Sequence, residues 1–207
     1  MEPTRQCRLC VRTEELCDSH VVPEFFFIRL YDKSHRFYAL SNIEEERVRL
    51  FQKGVREKLL CKSCEGRLSV YEHHAREVLY GEATDLNAEY HGSCIAISGV
   101  DYKKFKLFLM SLLWRLGLTT LPYYKGVSLG ARHQERLRSL ILADDPSEPW
   151  EYGCMITGLL HEEQVFDALI SPPAWGKVQG HQVYTIAIGG FVFAFVVSNH
   201  KPSFAIV

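Results

Sequence analysis

Leu60-Cys61-Lys62-Ser63-Cys64-Glu65-Gly66-Arg67-Leu68 is the stretch whose reading decides the fold, and it has a partner in Cys7-Arg8-Leu9-Cys10. Each contains a Cys-x2-Cys pair. Zinc takes four soft or borderline ligands in a closed tetrahedral shell, and two thiolates at this spacing come from one tight turn. Cys7, Cys10, Cys61 and Cys64 are therefore the expected ligands of a structural zinc ion. A full thiolate shell leaves no open position for water or substrate, so such a metal braces a fold and does no chemistry. The roughly 50 residues between the pairs exceed ordinary finger spacing, which makes this an elaborated module.

On the C-terminal side of the second pair, Leu68, Tyr71, Ala75, Val78 and Leu79 recur at helical spacing from Glu65 to Tyr80, and Gly81 supplies a stop. A cysteine knuckle leading directly into a helix is the arrangement of a treble-clef finger. Between the pairs, Ser19-His20-Val21-Val22-Pro23 leads into an expected helix from Glu24 to Tyr31. Proline suits a first helical turn and Glu24 suits its positive end. His35 to Leu40 alternates as a strand, and Ser41-Asn42 reads as a turn or cap. The mixed charges from Glu44 to Arg49 read as a solvated helix face.

Residues 82 to 100 are read as a connection containing the short run Cys94-Ile95-Ala96-Ile97. The expected division is a zinc module over residues 1–82 and an α+β domain of unassigned role over residues 83–207. Asp101 is a good N-cap for a helix from Tyr102 to Leu116, with Gly117 as its C-terminal cap. From Phe105 onward this helix is apolar on nearly every face, which places it at the centre of a core. An amphipathic helix from Arg132 to Leu142 follows a loop. The remainder reads as β-structure, with strands from Cys154 to Leu160, Gln182 to Ile188 and Phe191 to Val197. Gly189-Gly190 is the right length and type for a two-residue hairpin turn. The expected fold class is α+β: an N-terminal treble-clef or ββα-type zinc module, a helical middle, and a C-terminal antiparallel β-hairpin or small sheet.

Lysine and arginine number 24 against 25 acidic residues, so no global basic field draws the chain to nucleic acid. Lys103, Lys104, Lys106, Arg115, Arg132, Arg136 and Arg138 could gather into a basic surface for a phosphate backbone, but with acidic residues interspersed they are read first as solvated faces. Of seven cysteines, four lie in the two pairs, which fits metal binding in a reducing compartment better than a disulfide framework. The N-terminal stretch lacks the apolar core of a signal peptide. The most apolar run, Phe105 to Leu116, is shorter than the ~20 residues a spanning helix needs. A soluble, cytoplasmic protein with no membrane partner is expected.

The order of motifs is the more informative signal. Cys-x2-Cys, then His20-Val21-Val22-Pro23, then Leu60-Cys61-x2-Cys64 followed at once by a polar helix, resembles the zinc-carrying His-Asn-His (HNH) endonucleases. Ser19 to Phe27 and Leu59 to Glu65 also look like a bacterial group loosely called HNH-like. The resemblance implies a ββα unit braced by zinc and a second, catalytic metal, Mg²⁺ or Mn²⁺. It implies His20 as general base on a water that attacks the phosphodiester of DNA or RNA, in a context of bacterial defence or mobile elements. Glu65 falls where the family has its helix histidine, and a carboxylate suits a hard cation. Asn42 is the candidate for the middle asparagine. Ser19 stands where the family has an acidic residue or histidine, and Asp18 lies one position early. The alternative reading is a catalytically inactive, zinc-stabilised module that binds nucleic acid or a protein partner.

Overall fold

The computed structural model of the chain describes residues 5–34, 36–39, 49–52, 54–82, 85–162 and 164–201. The first cysteine pair sits in the turn of a short ribbon, where β1 (Arg5–Gln6) pairs antiparallel with β2 (Thr13–Glu14). β3 (Leu16–His20) follows directly and leads through Pro23 into α1 (Glu24–Phe27). This helix is shorter than the expected Glu24 to Tyr31. Phe25, Phe26 and Phe27 are all buried, and three consecutive helical positions cannot share one stripe. The three rings instead plug different places, Phe25 against Phe108, Phe26 against Phe193 and Phe27 against Phe37.

β4 (Arg36–Ala39) and β5 (Arg49–Gln52) form an antiparallel pair, so the expected strand from His35 to Leu40 is present over its described residues. Residues 40–48 carry Asn42 and most of the expected charged helix, and they lie outside the described residues. β6 (Arg56–Cys61) then returns to pair antiparallel with β3 and runs without a break into α2 (Lys62–Tyr80). A register irregularity between Leu16 and Asp18 lets Leu16 and Ser19 both face inward at a spacing of three. Gly81 ends α2 in the left-handed conformation, as its sequence position suggests.

The connection after α2 contains a hairpin of β7 (Asn87–His91) and β8 (Cys94–Ser98), both exposed along their whole length. Asp101 caps α3 (Tyr102–Leu118), its Oδ1 accepting from the Lys104 N–H at 3.1 Å. Every residue from Lys106 to Leu116 is buried, which explains the all-round apolar pattern. The helix runs past Gly117, the expected cap. A Cβ there would lie 2.6 Å from Leu129 Cδ1, so this glycine permits close packing. α4 (Gly130–Ala143) crosses next, with Leu137, Leu140 and Ile141 inward.

The last third builds sheets: β9 (Cys154–Gly158), the small pair β10 (Leu160–His161) and β11 (Gln164–Val165), then β12 (Ala174–Val178), β13 (His181–Ile188) and β14 (Phe191–Val197). The larger sheet has the order β12-β13-β14-β9 and is antiparallel throughout. Gly189 and Gly190 make the two-residue turn between β13 and β14, with φ of 56° and 91°. A turn whose twist matches the strands needs positive φ at both positions, which glycine supplies without strain.

The described residues thus form a mixed α/β fold of four α-helices and several small antiparallel sheets. Side chains from both sides of residue 82 share one core, in which Phe26 meets both Phe108 and Phe193. Trp114 lies inside it. Among the described residues, no helix is long and apolar enough to cross a membrane.

Candidate functional site

The β1–β2 turn brings Cys7 and Cys10 against the junction of β6 and α2, where Cys61 ends the strand and Cys64 lies in the first helical turn. All four Sγ atoms lie within 4.8 Å of one another. Cys10 Sγ and Cys61 Sγ are 3.8 Å apart. A tetrahedron with Zn–S bonds of about 2.3 Å has edges of about 3.8 Å, whereas a disulfide brings its sulfurs to about 2.05 Å. The donor set therefore fits zinc in spacing and in chemistry. The Cys61 N–H donates to Cys7 Sγ at 3.4 Å, a contact that orients the sulfur.

Burial raises the Cys7 and Cys64 thiols above the ordinary cysteine range, and contacts with neighbouring cysteines, Cys10 for Cys7 and Cys61 for Cys64, add to it. Burial also works against ionisation of Cys10. There, however, the Arg12 guanidinium, 3.5 Å from its Sγ, and neighbouring groups prevail and hold the thiol near a pKa of about 6. A divalent ion would ionise the whole set. Cys17 stays outside the cluster, and burial pushes its thiol up.

At the far end of β3, the register places His20 opposite Arg56. The His20 ring nitrogen Nε2 meets both the Glu24 carboxylate and the Arg56 Nε–H, the latter at 2.9 Å. These contacts are alternatives. A protonated Nε2 donates to Glu24, and an unprotonated one accepts from Arg56. Arg56 Nη2 also donates to Glu24 at 3.1 Å, and the Tyr31 hydroxyl donates to the other carboxylate oxygen at 2.7 Å. Burial disfavours the Glu24 carboxylate, but Tyr31, His20 and Arg56 outweigh it and hold Glu24 below the usual carboxylate range.

Arg115 crosses from α3, with only 2% of its side chain exposed. Its Nη1 donates to the His20 carbonyl at 2.9 Å and pairs with Glu72 Oε1 at 2.7 Å. Glu65 lies in the first turn of α2 beside Ser19 and within the field of Arg115 and Arg56. Burial pushes its carboxyl above the usual range, and Oε1 has no hydrogen-bond partner among the described residues. Ser19 is buried, its Oγ accepting from the Leu60 N–H at 3.1 Å.

Among the described residues, the four cysteines are the one group of three or more metal-ligating side chains gathered at ligating distance. His20, Glu65 and Asp18 are not brought together in that way. Asp18 faces Lys58 at 3.3 Å, and His73 pairs with Glu77 at 3.3 Å. Asn42 lies outside the described residues. Among the described residues, no third ligating side chain joins His20 and Glu24 at such a distance, and the positive charge there comes from Arg56 and Arg115. Glu24, Arg56, Glu72 and Arg115 were not among the expected site residues. The spacing of four between His20 and Glu24 could have flagged one of them. The arginines reach the site across 36 and 95 residues, and no local pattern announces that.

No protein-family model, curated protein or solved structure matches the chain.

Proposed function

We propose that the chain is a zinc-braced, HNH-like module that binds the phosphate backbone of nucleic acid without cutting it. The single observation that carries this reading is the make-up of the histidine end, where arginines stand in the place of a catalytic cation. Arg56 sits on His20 and Glu24, while Arg115 holds Glu72 and the His20 carbonyl. The treble-clef, ββα-type assignment is supported by the run β3, β6, α2, with one cysteine pair before the first strand and the other at the strand–helix junction. Phosphate contact is supported by exposed Arg8 and Lys62 beside the zinc site, neither with a carboxylate partner in ion-pair range among the described residues. Such cations position a backbone without reading its sequence.

The test is binding and cleavage of single-stranded DNA, duplex DNA and RNA, each with Mg²⁺, Mn²⁺ or EDTA. The expected result is binding that weakens with salt, no metal-dependent cutting, and a salt slope reduced by about one in Lys62→Ala. No binding to any of the three overturns the reading and turns attention to a protein partner, for which Trp175, 65% exposed on β12, is the natural anchor. A metal-dependent nuclease is the second reading. The observation in its favour is the Glu24 carboxylate on the ring of His20, an orienting contact suited to a general base. Mg²⁺- or Mn²⁺-dependent cutting that disappears in a folded His20→Ala variant would put that reading first.

A further inference from the structure

We propose that the cleft along the exposed side of α4 is a second, separate anion site that takes a phosphoryl group. Its volume is about 470 Å³, and its walls are Arg132, His133, Glu135, Arg136, Ser139, Tyr152 and Asn199. Cavities of about 300–1,000 Å³ are the usual size for small-ligand sites. Arg132, Arg136 and Ser139 follow one another at helical steps of four and three, so they share a face of α4.

The charge balance of this face is lopsided. Glu151, 8% exposed, is occupied by Arg136 through two bonds of 2.9 and 3.1 Å. Glu135 is occupied by Arg138 through bonds of 2.8 and 2.7 Å. Glu135, the carboxylate lining the cleft, and Glu151 behind Arg136 are therefore each paired with an arginine, while Arg132 is exposed and has no acidic partner in ion-pair range among the described residues. His133 lies beside it, and His200 is close enough to act on His133 electrostatically.

The imidazole of His133 is held in place for a ligand. Its Nδ1 meets the Tyr152 hydroxyl at 3.0 Å, and the two rings stand edge to face at 5.8 Å. Tyr152 is buried and has a φ of 52°, a conformation that a bulky residue adopts only when its surroundings impose it. Its N–H donates to the Ser198 carbonyl at 3.0 Å, and its carbonyl accepts from Lys106 Nζ at 3.1 Å. With Nδ1 taken by tyrosine, the remaining polar atom is Nε2, which has no protein partner among the described residues. When the Tyr152 hydroxyl donates to Nδ1, Nε2 carries a proton and becomes a donor.

Arg132, His133 Nε2 and the amide of Asn199 offer donors from separate points around one space. A tetrahedral oxyanion with three free oxygens satisfies such a set better than a planar carboxylate with two. A small phosphorylated compound and a nucleic-acid backbone present the same group. The inference does not rest on the nucleic-acid reading of the zinc end.

The experiment uses the full chain in phosphate-free buffer, with inorganic pyrophosphate and a short single-stranded oligonucleotide as separate probes. Imidazole ¹H–¹⁵N NMR follows His133, and calorimetry measures binding. The expected result is a saturable shift of the His133 ring with at least one probe, weakened about tenfold in Arg132→Ala, as for loss of one charge-assisted contact. Arg132 is exposed, so the variant should keep the wild-type melting temperature. Saturation by pyrophosphate alone assigns a small phosphorylated ligand, and tighter saturation by the oligonucleotide assigns a backbone phosphate. No saturable shift with either probe up to ~10 mM, the weak end of specific affinity, overturns the proposal. An equal loss in Lys177→Ala, an exposed cation on β12, overturns it as well, because the effect would then be general charge.

Discussion

The two ends of the β3–β6–α2 unit are closed by opposite kinds of chemistry. At one end, four cysteine sulfurs lie within 4.8 Å of one another, a set of like ligands. At the other end, His20, Glu24, Glu65 and Glu72 share their space with Arg56 and Arg115, so the cations are covalently part of the chain. Like ligands call for an external ion. Mixed charges neutralise one another. The same short unit therefore offers a four-thiol metal site at one end and carries its own cations at the other.

The largest expected effect is at the cysteine end. Structural zinc contributes about 10–16 kcal/mol in small modules, comparable to the ~5–15 kcal/mol that holds a whole domain together. Cys64→Ser, or exhaustive chelation, is expected to abolish the cooperative unfolding transition seen by circular dichroism. The native protein should carry one zinc per chain by elemental analysis. A zinc-free protein with an unchanged melt would remove the contrast between the ends.

Arg115→Met comes next, because it strands the Glu72 carboxylate and removes the donor to the His20 carbonyl. Breaking a buried pair from one side costs about 3 kcal/mol. Urea unfolding should show it, and adding Glu72→Gln should restore part of the loss. If the double variant is no better than the single, the histidine end is not held by this pair.

A calibration away from both ends is Gly189→Ala, where φ is 56° and a Cβ would lie 2.5 Å from the Tyr80 hydroxyl and 2.7 Å from Phe26 Cδ1. The expected cost is about 2 kcal/mol, from strain and crowding together. A neutral result would mean that the contact between the hairpin tip and α1 is loose.

The smallest effect is Glu24→Gln, at under about 1 kcal/mol for a partly exposed ion pair. Its pH dependence is diagnostic. The folded Glu24 is held below its ordinary value of 4.5, so its contribution is full above that value and is lost as pH falls towards the lower folded one. Wild type minus variant should therefore narrow in acid, as pH falls through the carboxylate range. A difference that grows in acid would contradict the pairing with Arg56.

Legibility from sequence followed the range of the interaction. The strand Phe191–Val197, its two-glycine turn, the Asp101 cap and the helix after Cys61 were all readable, because each rests on contacts a few residues apart. The cysteine cluster was readable despite its span, since a metal constrains ligand type and spacing within each pair. The expected helix from Glu24 to Tyr31 stopped at Phe27, because its three phenylalanines answer to different neighbours. Gly117 looked like a cap and is a packing position against Leu129, a neighbour that only the crossing of α3 and α4 supplies.

Local order and donor chemistry were therefore written in the chain: periods of two and 3.6, caps, a hairpin turn, and four thiols suited to one zinc ion. The tertiary structure alone decided which charges meet. Arg56 reaches His20 across 36 residues, Arg115 reaches its carbonyl across 95, and Arg132, beside His133, is left without a carboxylate in ion-pair range among the described residues. The physical reason is that a backbone pattern repeats over a few residues, whereas an ion pair needs only proximity in space.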